Sequence, residues 1–95
     1  MNRMELAGVV AGGTGLGVGQ AAEAIDVALT AIAEALAAGE TVTLPGFGVF
    51  ERRARAARTG RNPQTGEALE IAATLVPAFK PAAGLKRLVA QSTSP

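Results

Sequence analysis

The chain of 95 residues has no His, no Cys, no Trp and no Tyr, and three Phe are its only aromatics. Each absence removes a kind of chemistry. Without imidazole or thiol there is no side-chain base poised near neutrality, no thiolate nucleophile and no zinc site of nitrogen and sulfur ligands. Disulfides are impossible, so nothing ties the chain to an oxidising compartment. Aromatics make up 3% while 48% is hydrophobic, and that fraction leans on Ala. Side chains so small bury little area each. A single domain of this length folded alone hides only about two-thirds of its surface, so association with a second chain is expected.

Long hydrophobic runs are lacking too. The richest stretch, Val18 to Ala38, is interrupted by Glu23, Asp26 and Glu34, charges too costly for hydrocarbon. Met1 to Leu16 carries Glu5 and is broken by Gly8, Gly12, Gly13 and Gly15, which is not the pattern of a targeting segment. The expectation is a soluble, cytoplasmic protein with no membrane partner.

What is present is an uneven distribution of charge. Nine cations against eight anions leave a net charge of +1. Divided along the chain, residues 1–50 hold Arg3 against five anions, while residues 51–95 hold eight cations against Glu51, Glu67 and Glu70. Five of the eight, Arg52, Arg53, Arg55, Arg58 and Arg61, fall within ten positions. Such a chain can present an anion-seeking surface while staying nearly neutral, because attraction acts over a Debye length of about 8 Å.

Periodicity orders the elements. Leu6, Val9 and Val10 follow helical spacing over Asn2 to Ala11, and the glycine-rich segment from Gly12 to Gly19 is expected to end that helix. Ile25, Leu29, Ile32 and Leu36 form one apolar stripe on a second helix over Val18 to Ala38, with Gly39 at its C-cap. From Thr41 the period becomes two, and Pro45-Gly46 turns the chain into Phe47-Gly48-Val49-Phe50. The strand is expected to run on through residues 51–58 to a tip at Asn62-Pro63-Gln64-Thr65-Gly66, and to return through Leu69, Ile71 and Ala73. Pro77 and Pro81 are expected to punctuate the exit before a short helix over Ala82 to Ala90; Gln91 to Pro95 reads as a loose tail. The fold class is α+β: two N-terminal helices, a three-stranded antiparallel sheet with a long protruding β-hairpin arm, and a short C-terminal helix. Between Arg52 and Glu67 the only apolar side chains are alanines, so the arm has no core of its own.

A cationic arm tipped by Arg61-Asn62-Pro63 has a physical use. Guanidinium groups suit the minor groove and its phosphates, and a rigid Pro ring can wedge between stacked base pairs. Alternation puts Arg53, not Arg52, on the same side as Arg55, and a bulge at Gly60 leaves the side of Arg61 open. Two nucleotide-site readings fail on residues. Gly12 to Gly17 has the spacing of a phosphate loop, but Val18 stands where Lys is needed; the dinucleotide fingerprint lacks its third Gly and its preceding strand. Glu23 and Asp26 fit a solvated helix face better than a catalytic pair. No enzyme, cofactor or metal is expected.

The run Gly46-Phe47-Gly48-Val49-Phe50, the block from Arg58 to Gly66, and Val76-Pro77-Ala78-Phe79-Lys80-Pro81 resemble the bacterial HU/IHF family of histone-like DNA-bending proteins, HU above all. The likeness covers Met1 to about Ala90. It implies an intertwined homodimer on double-stranded DNA, favouring bent, nicked or flexible sites, and a nucleoid location. Pro63 becomes the intercalating wedge; Arg53, Arg55, Arg58 and Arg61 the arm cations; Asn62 and Gln64 the polar tip; Lys80 and Lys86, with Arg3 and Arg87 as weaker candidates, the phosphate contacts of the body. Leu29, Ile32, Leu36, Leu44, Phe47, Phe50 and Phe79 become the dimer core. One working domain is implied over 1–90, with 1–39 the helical dimerisation base, 40–81 the sheet and arm, 82–90 the last helix, and 91–95 a tail. The family spreads basic residues over the body, whereas Gly13, Val18, Ala37, Glu67, Glu70, Ala83 and Ala90 stand where they are common, so a shorter DNA site is expected. RNA as a further partner stays open, as does a protein-interaction module of the same fold with reduced DNA affinity.

Overall fold

The computed structural model describes residues 1–92. It divides into two compact units, Met1–Ala35 and the chain from Leu36 onward. The first helix, α1 (Arg3–Thr14), starts at Asn2, whose side-chain oxygen accepts the Glu5 N–H at 2.8 Å. It does not stop at Ala11 as expected. Gly12 and Gly13 cost about 1 kcal/mol each against Ala, yet Val10 and Ala11 pack on the core. The added turn bonds the carbonyls that a stop at Ala11 would leave unpaired. The helix ends instead at Gly15, in the left-handed region at φ 80°, where its N–H reaches the Ala11 carbonyl at 3.0 Å.

The chain bends by 111° into α2 (Val18–Ala37). Gly17, which has no side chain with which to cap the new helix, donates its N–H to the Gln20 side-chain oxygen at 3.1 Å, the return half of a capping box. Ala7, Ala21 and Ala22 are buried, with Val10, Ala11 and Ile25 packed against them. Alanines permit a close helix approach but bury little area. Among the described residues no single helix is long and apolar enough to cross a membrane.

In the second unit, β1 (Val42–Leu44), β2 (Gly48–Arg55) and β5 (Thr74–Pro81) form one antiparallel sheet with β2 in the centre, and β3 (Arg58–Arg61) pairs with β4 (Ala68–Ile71) in a second. Pro45-Gly46 makes the expected turn, with Gly46 at φ 78° and the Phe47 N–H on the Leu44 carbonyl at 3.0 Å. Gly48 is buried because nothing larger fits. A Cβ there would strike the Phe79 ring and lie 2.7 Å from the Lys80 carbonyl oxygen.

Two expectations about the strands need correction. The strand does not run unbroken through residues 51–58: it is interrupted at Ala56-Ala57, opposite a matching break at Ala72-Ala73, so both long strands divide into a body part and an arm part. Alanine, a poor strand former, supplies all four positions. Pro77 is not an exit marker but an interior residue of β5, opposite Arg52. It is tolerated because β5 is an edge strand. Ala82 donates to the Phe47 carbonyl at 2.9 Å, and by alternation Pro77 and Pro81 hold positions whose missing N–H would face outward. The last helix, α3 (Ala83–Ala90), is closed by Gln91, whose N–H reaches the Arg87 carbonyl at 2.9 Å, and Ser92 bonds Val89 at 3.1 Å. The rest of the expected tail, residues 93–95, lies outside the described residues.

Candidate nucleic-acid interface

Pairing register decides which cations act together. On β2, Val49, Glu51, Arg53 and Arg55 share one face, joined across the strands by Lys80 opposite Val49; Phe50, Arg52 and Ala54 share the other with Phe79. Arg53 therefore does accompany Arg55. Arg52 turns the other way and donates to the Ala37 carbonyl at 3.2 Å, capping the end of α2, where a cation is favoured.

Sequence reasoning missed Glu51. Its carboxylate accepts from Arg53 at 3.0 Å and from Lys80 at 3.1 Å. Those hydrogen bonds, Lys80 foremost, hold its carboxyl below the usual carboxylate range. Two cations of the expected surface are thus partly neutralised. The Glu51–Arg53 half was readable from the spacing of two on a strand; the Lys80 half needs the register of β2 against β5.

The β3–β4 register is continuous from Arg58 opposite Ile71 to Arg61 opposite Ala68. There is no bulge at Gly60, so alternation extends through it. Arg58 lies on one face with Gly60, Leu69 and Ile71, while Thr59 and Arg61 lie on the other with Ala68 and Glu70. Gly60 makes room for Ile71, whose Cδ1 is 3.2 Å from where a Cβ would stand.

The tip is closed by its own polar groups. Asn62 donates its N–H to the Glu67 carbonyl at 2.9 Å and accepts from Gly66 at 2.7 Å, and its side-chain oxygen accepts the Gln64 N–H at 2.9 Å. Arg61 donates to the Gly66 carbonyl at 3.1 Å, and Glu67 to the Thr65 hydroxyl at 3.3 Å. Gly66 takes φ 73°. Pro63 and Gln64 stand exposed at the apex of this loop, while Asn62 is half-buried and spends its oxygen inside it. Lys86 and Arg87 are exposed on α3, and Arg3 pairs with Asp26 at 2.9 Å on the helical unit.

The expected dimer core is poorly covered in the single chain. Leu29 is 57% exposed, Phe47 49% and Phe79 40%; Leu44 is also exposed, and Ile32, Leu36 and Phe50 are half-buried. Phe79 holds the three rings together, with centroids 4.7 Å from Phe50 and 5.5 Å from Phe47.

Fold and site together define a small α+β protein whose cationic β-arm ends in a proline-tipped loop. The family model described as bacterial DNA-binding protein matches residues 1–90. The chain is 54% identical over 89 residues to the DNA-binding protein HU of Geobacillus stearothermophilus, covering 94% of this chain and 99% of that one. It is 52% identical over 89 residues to the SPbeta prophage-derived DNA-binding protein HU 2 of Bacillus subtilis, covering 94% and 97%. Among solved structures, the Anabaena HU–DNA cocrystal structure superposes with a TM-score of 0.91 at 46% identity, over 97% of this chain and all of that one. HU from Thermotoga maritima matches with a TM-score of 0.65 at 32% identity, over 94% and 98%. The chain belongs to the bacterial DNA-binding protein family of the HU type, as its tip and Phe motifs implied.

Proposed function

We propose that this chain is an architectural DNA-binding protein that works as a homodimer, bending and compacting double-stranded DNA through two minor-groove arms, each with Pro63 as an intercalating wedge. The observation that carries this reading is the tip. A loop that satisfies its own backbone groups can hold a donor-free ring at its apex without collapsing, and a wedge must be stiffer than the base stack it enters. Arg55, Arg58 and Arg61 supply the cations that draw the arm along the groove; Arg53, Lys80 and Lys86 add phosphate contacts on the body, and Asn62 and Gln64 polar contacts at the tip. The relatives are named as DNA-binding, and one solved relative is a complex with DNA.

Residues 1–90, the span the family model matches, form the working unit, with 1–39 as the dimerisation base, 40–81 as sheet and arm and 82–90 as the last helix. Covering half-exposed side chains such as Leu29, Phe47 and Phe79 stabilises association by about 1 kcal/mol each, half of the value for full burial. Selection of sites rests on deformability, so bent, nicked or flexible duplexes bind best, and the protein acts in the cytoplasm on the nucleoid. Body positions Gly13, Val18, Ala37, Ala83 and Ala90 are uncharged, and Glu51 offsets Arg53 and Lys80, which favours a short site with a shallow salt dependence of about 0.9 per neutralised phosphate.

The combined Arg55→Ala, Arg58→Ala and Arg61→Ala variant tests the arms. It should melt like the parent and lose about 100-fold or more in duplex affinity at moderate salt, at about 1 kcal/mol per charged contact. Binding equal to the parent in a mobility-shift salt series removes the arm from the mechanism.

A further inference from the structure

Between Gly48 and Phe50 the central strand β2 has a neighbour on each side, β1 and β5. From Glu51 onward β1 no longer reaches it, and β2 and β5 continue as a two-stranded ribbon to Arg55 and Thr74, where the arm begins. Such a ribbon is the most strongly twisted kind of sheet and only marginally stable by itself, so the direction in which it leads the chain is soft unless something holds it. The ion pairs of Glu51 with Arg53 and Lys80 lie within the ribbon, and the hydrogen bonds of Arg61 and Asn62 lie within the tip. Among the described residues, Arg52 makes the one side-chain hydrogen bond that leaves this hairpin, to the Ala37 carbonyl at 3.2 Å.

That bond is prepared from both ends. The last turn of α2 holds no basic residue, so the negative end of the helix has no cation of its own, and Arg52 supplies one from 15 positions away. The Gly39 N–H takes the Leu36 carbonyl at 3.0 Å and leaves Ala37 to the guanidinium. Gly39, at φ 85°, is also the seat: a Cβ there would lie 2.8 Å from Arg52 Nη2 and 3.3 Å from its Cζ. By alternation Arg52 projects from the face opposite Arg53 and Arg55, so its charge is committed to the helix end and not to that cationic face. We infer that Arg52 is a positioning residue for DNA bending: seated over Gly39 on the connection from α2 to β1, it fixes the direction in which the ribbon launches the arm. This rests on the arm-driven bending proposed above. Two wedges that enter one duplex define a bend only if their separation is set, and an arm with a loose root loses affinity to the ordering of that root on binding.

The test reads geometry and charge separately, on the intact protein with a nicked duplex labelled at both ends for energy transfer and saturated with protein, at a temperature where circular dichroism shows every variant folded. Arg52→Ala should reduce the mean bend and broaden its distribution, and should lower affinity about fivefold, the upper worth of an exposed cation at a helix end. Its salt slope should equal the parent's, whereas Arg55→Ala should lower the slope by about 0.9. A slope lowered by the same amount in Arg52→Ala makes Arg52 a phosphate contact and overturns the inference, and so does a bend equal to the parent's. Gly39→Asn removes no charge and tolerates the left-handed backbone, but puts a Cβ where the guanidinium lies. It should reproduce the reduced bend, and adding Arg52→Ala to it should reduce the bend no further. A parent-like bend for Gly39→Asn, or additive losses in the double variant, overturn the inference. If the parent fails to bend the duplex, the proposed function falls and this inference with it. If the parent bends it and Arg52→Ala bends it equally, only the positioning role fails.

Discussion

Between Gly48 and Arg55 the hairpin is held by packing: Phe79 lies against Phe50 and Phe47, its ring crowds Gly48, and Glu51 ties Arg53 to Lys80. Between Arg58 and Ile71 the same hairpin is held by backbone pairing and a self-bonded loop, and its side chains are exposed or nearly so. The alanine breaks at 56–57 and 72–73 lie at the change. The inner part stabilises the fold and the outer part is open to a ligand, and because the two share no side-chain cluster, each can be altered without the other.

The largest effect that comparison allows is in the body. Gly48→Ala drives a methyl into the Phe79 ring and the Lys80 carbonyl, and should destabilise by about 3 kcal/mol, the upper range for overpacking. Melting should fall by about 12 °C or more, at about 4–8 °C per kcal/mol for a chain this size. An unchanged melting temperature breaks the claim that packing holds the inner half. Next comes the tip. Pro63→Ala should leave melting within about 1 °C and reduce the bend of an end-labelled duplex read by energy transfer, with about tenfold weaker binding, a change of about 1.4 kcal/mol. A shifted melting temperature links the two halves after all.

The smallest effect sits at the border. Glu51→Gln frees Arg53 and Lys80, and should raise duplex affinity about two- to fivefold with a steeper salt dependence. A loss of affinity would show that Glu51 positions those cations rather than restraining them. The lowered carboxyl pKa fixes the pH behaviour. Both ion pairs are intact at neutral pH, their contribution to stability is fully present above the ordinary carboxylate pKa, and it is lost as pH falls through the lowered value. Acid titration of the parent and of Glu51→Gln by circular dichroism should therefore converge at the acid end and coincide least near neutrality.

Much of this was legible in the residues. Gly46-Phe47-Gly48-Val49-Phe50 and the block from Arg58 to Gly66 carry turns and alternation within a few positions, and Gly46 and Gly66 have the positive φ that their places require. What failed depended on the third dimension. Gly12 and Gly13 argue locally for a helix end, but packing of Val10 and Ala11 overrides them. Pro77 argues against a strand until β5 is known to be an edge. The Glu51–Lys80 pair spans 29 positions and exists only through strand register. The split of Arg58 from Arg61 also followed from register, once a bulge at Gly60 was absent.

The placement of Pro77 and Pro81 has a consequence for behaviour at high concentration. The outward-facing donors of β5 belong to Leu75, Pro77, Phe79 and Pro81, and the two prolines have none to give. On the proposed compacting function, copies gather along DNA and bring their sheet edges to close quarters, where an unblocked edge is a template for fibrous stacking. Removing every second donor from that edge makes the row unreadable to another strand, so crowding on the template need not become aggregation.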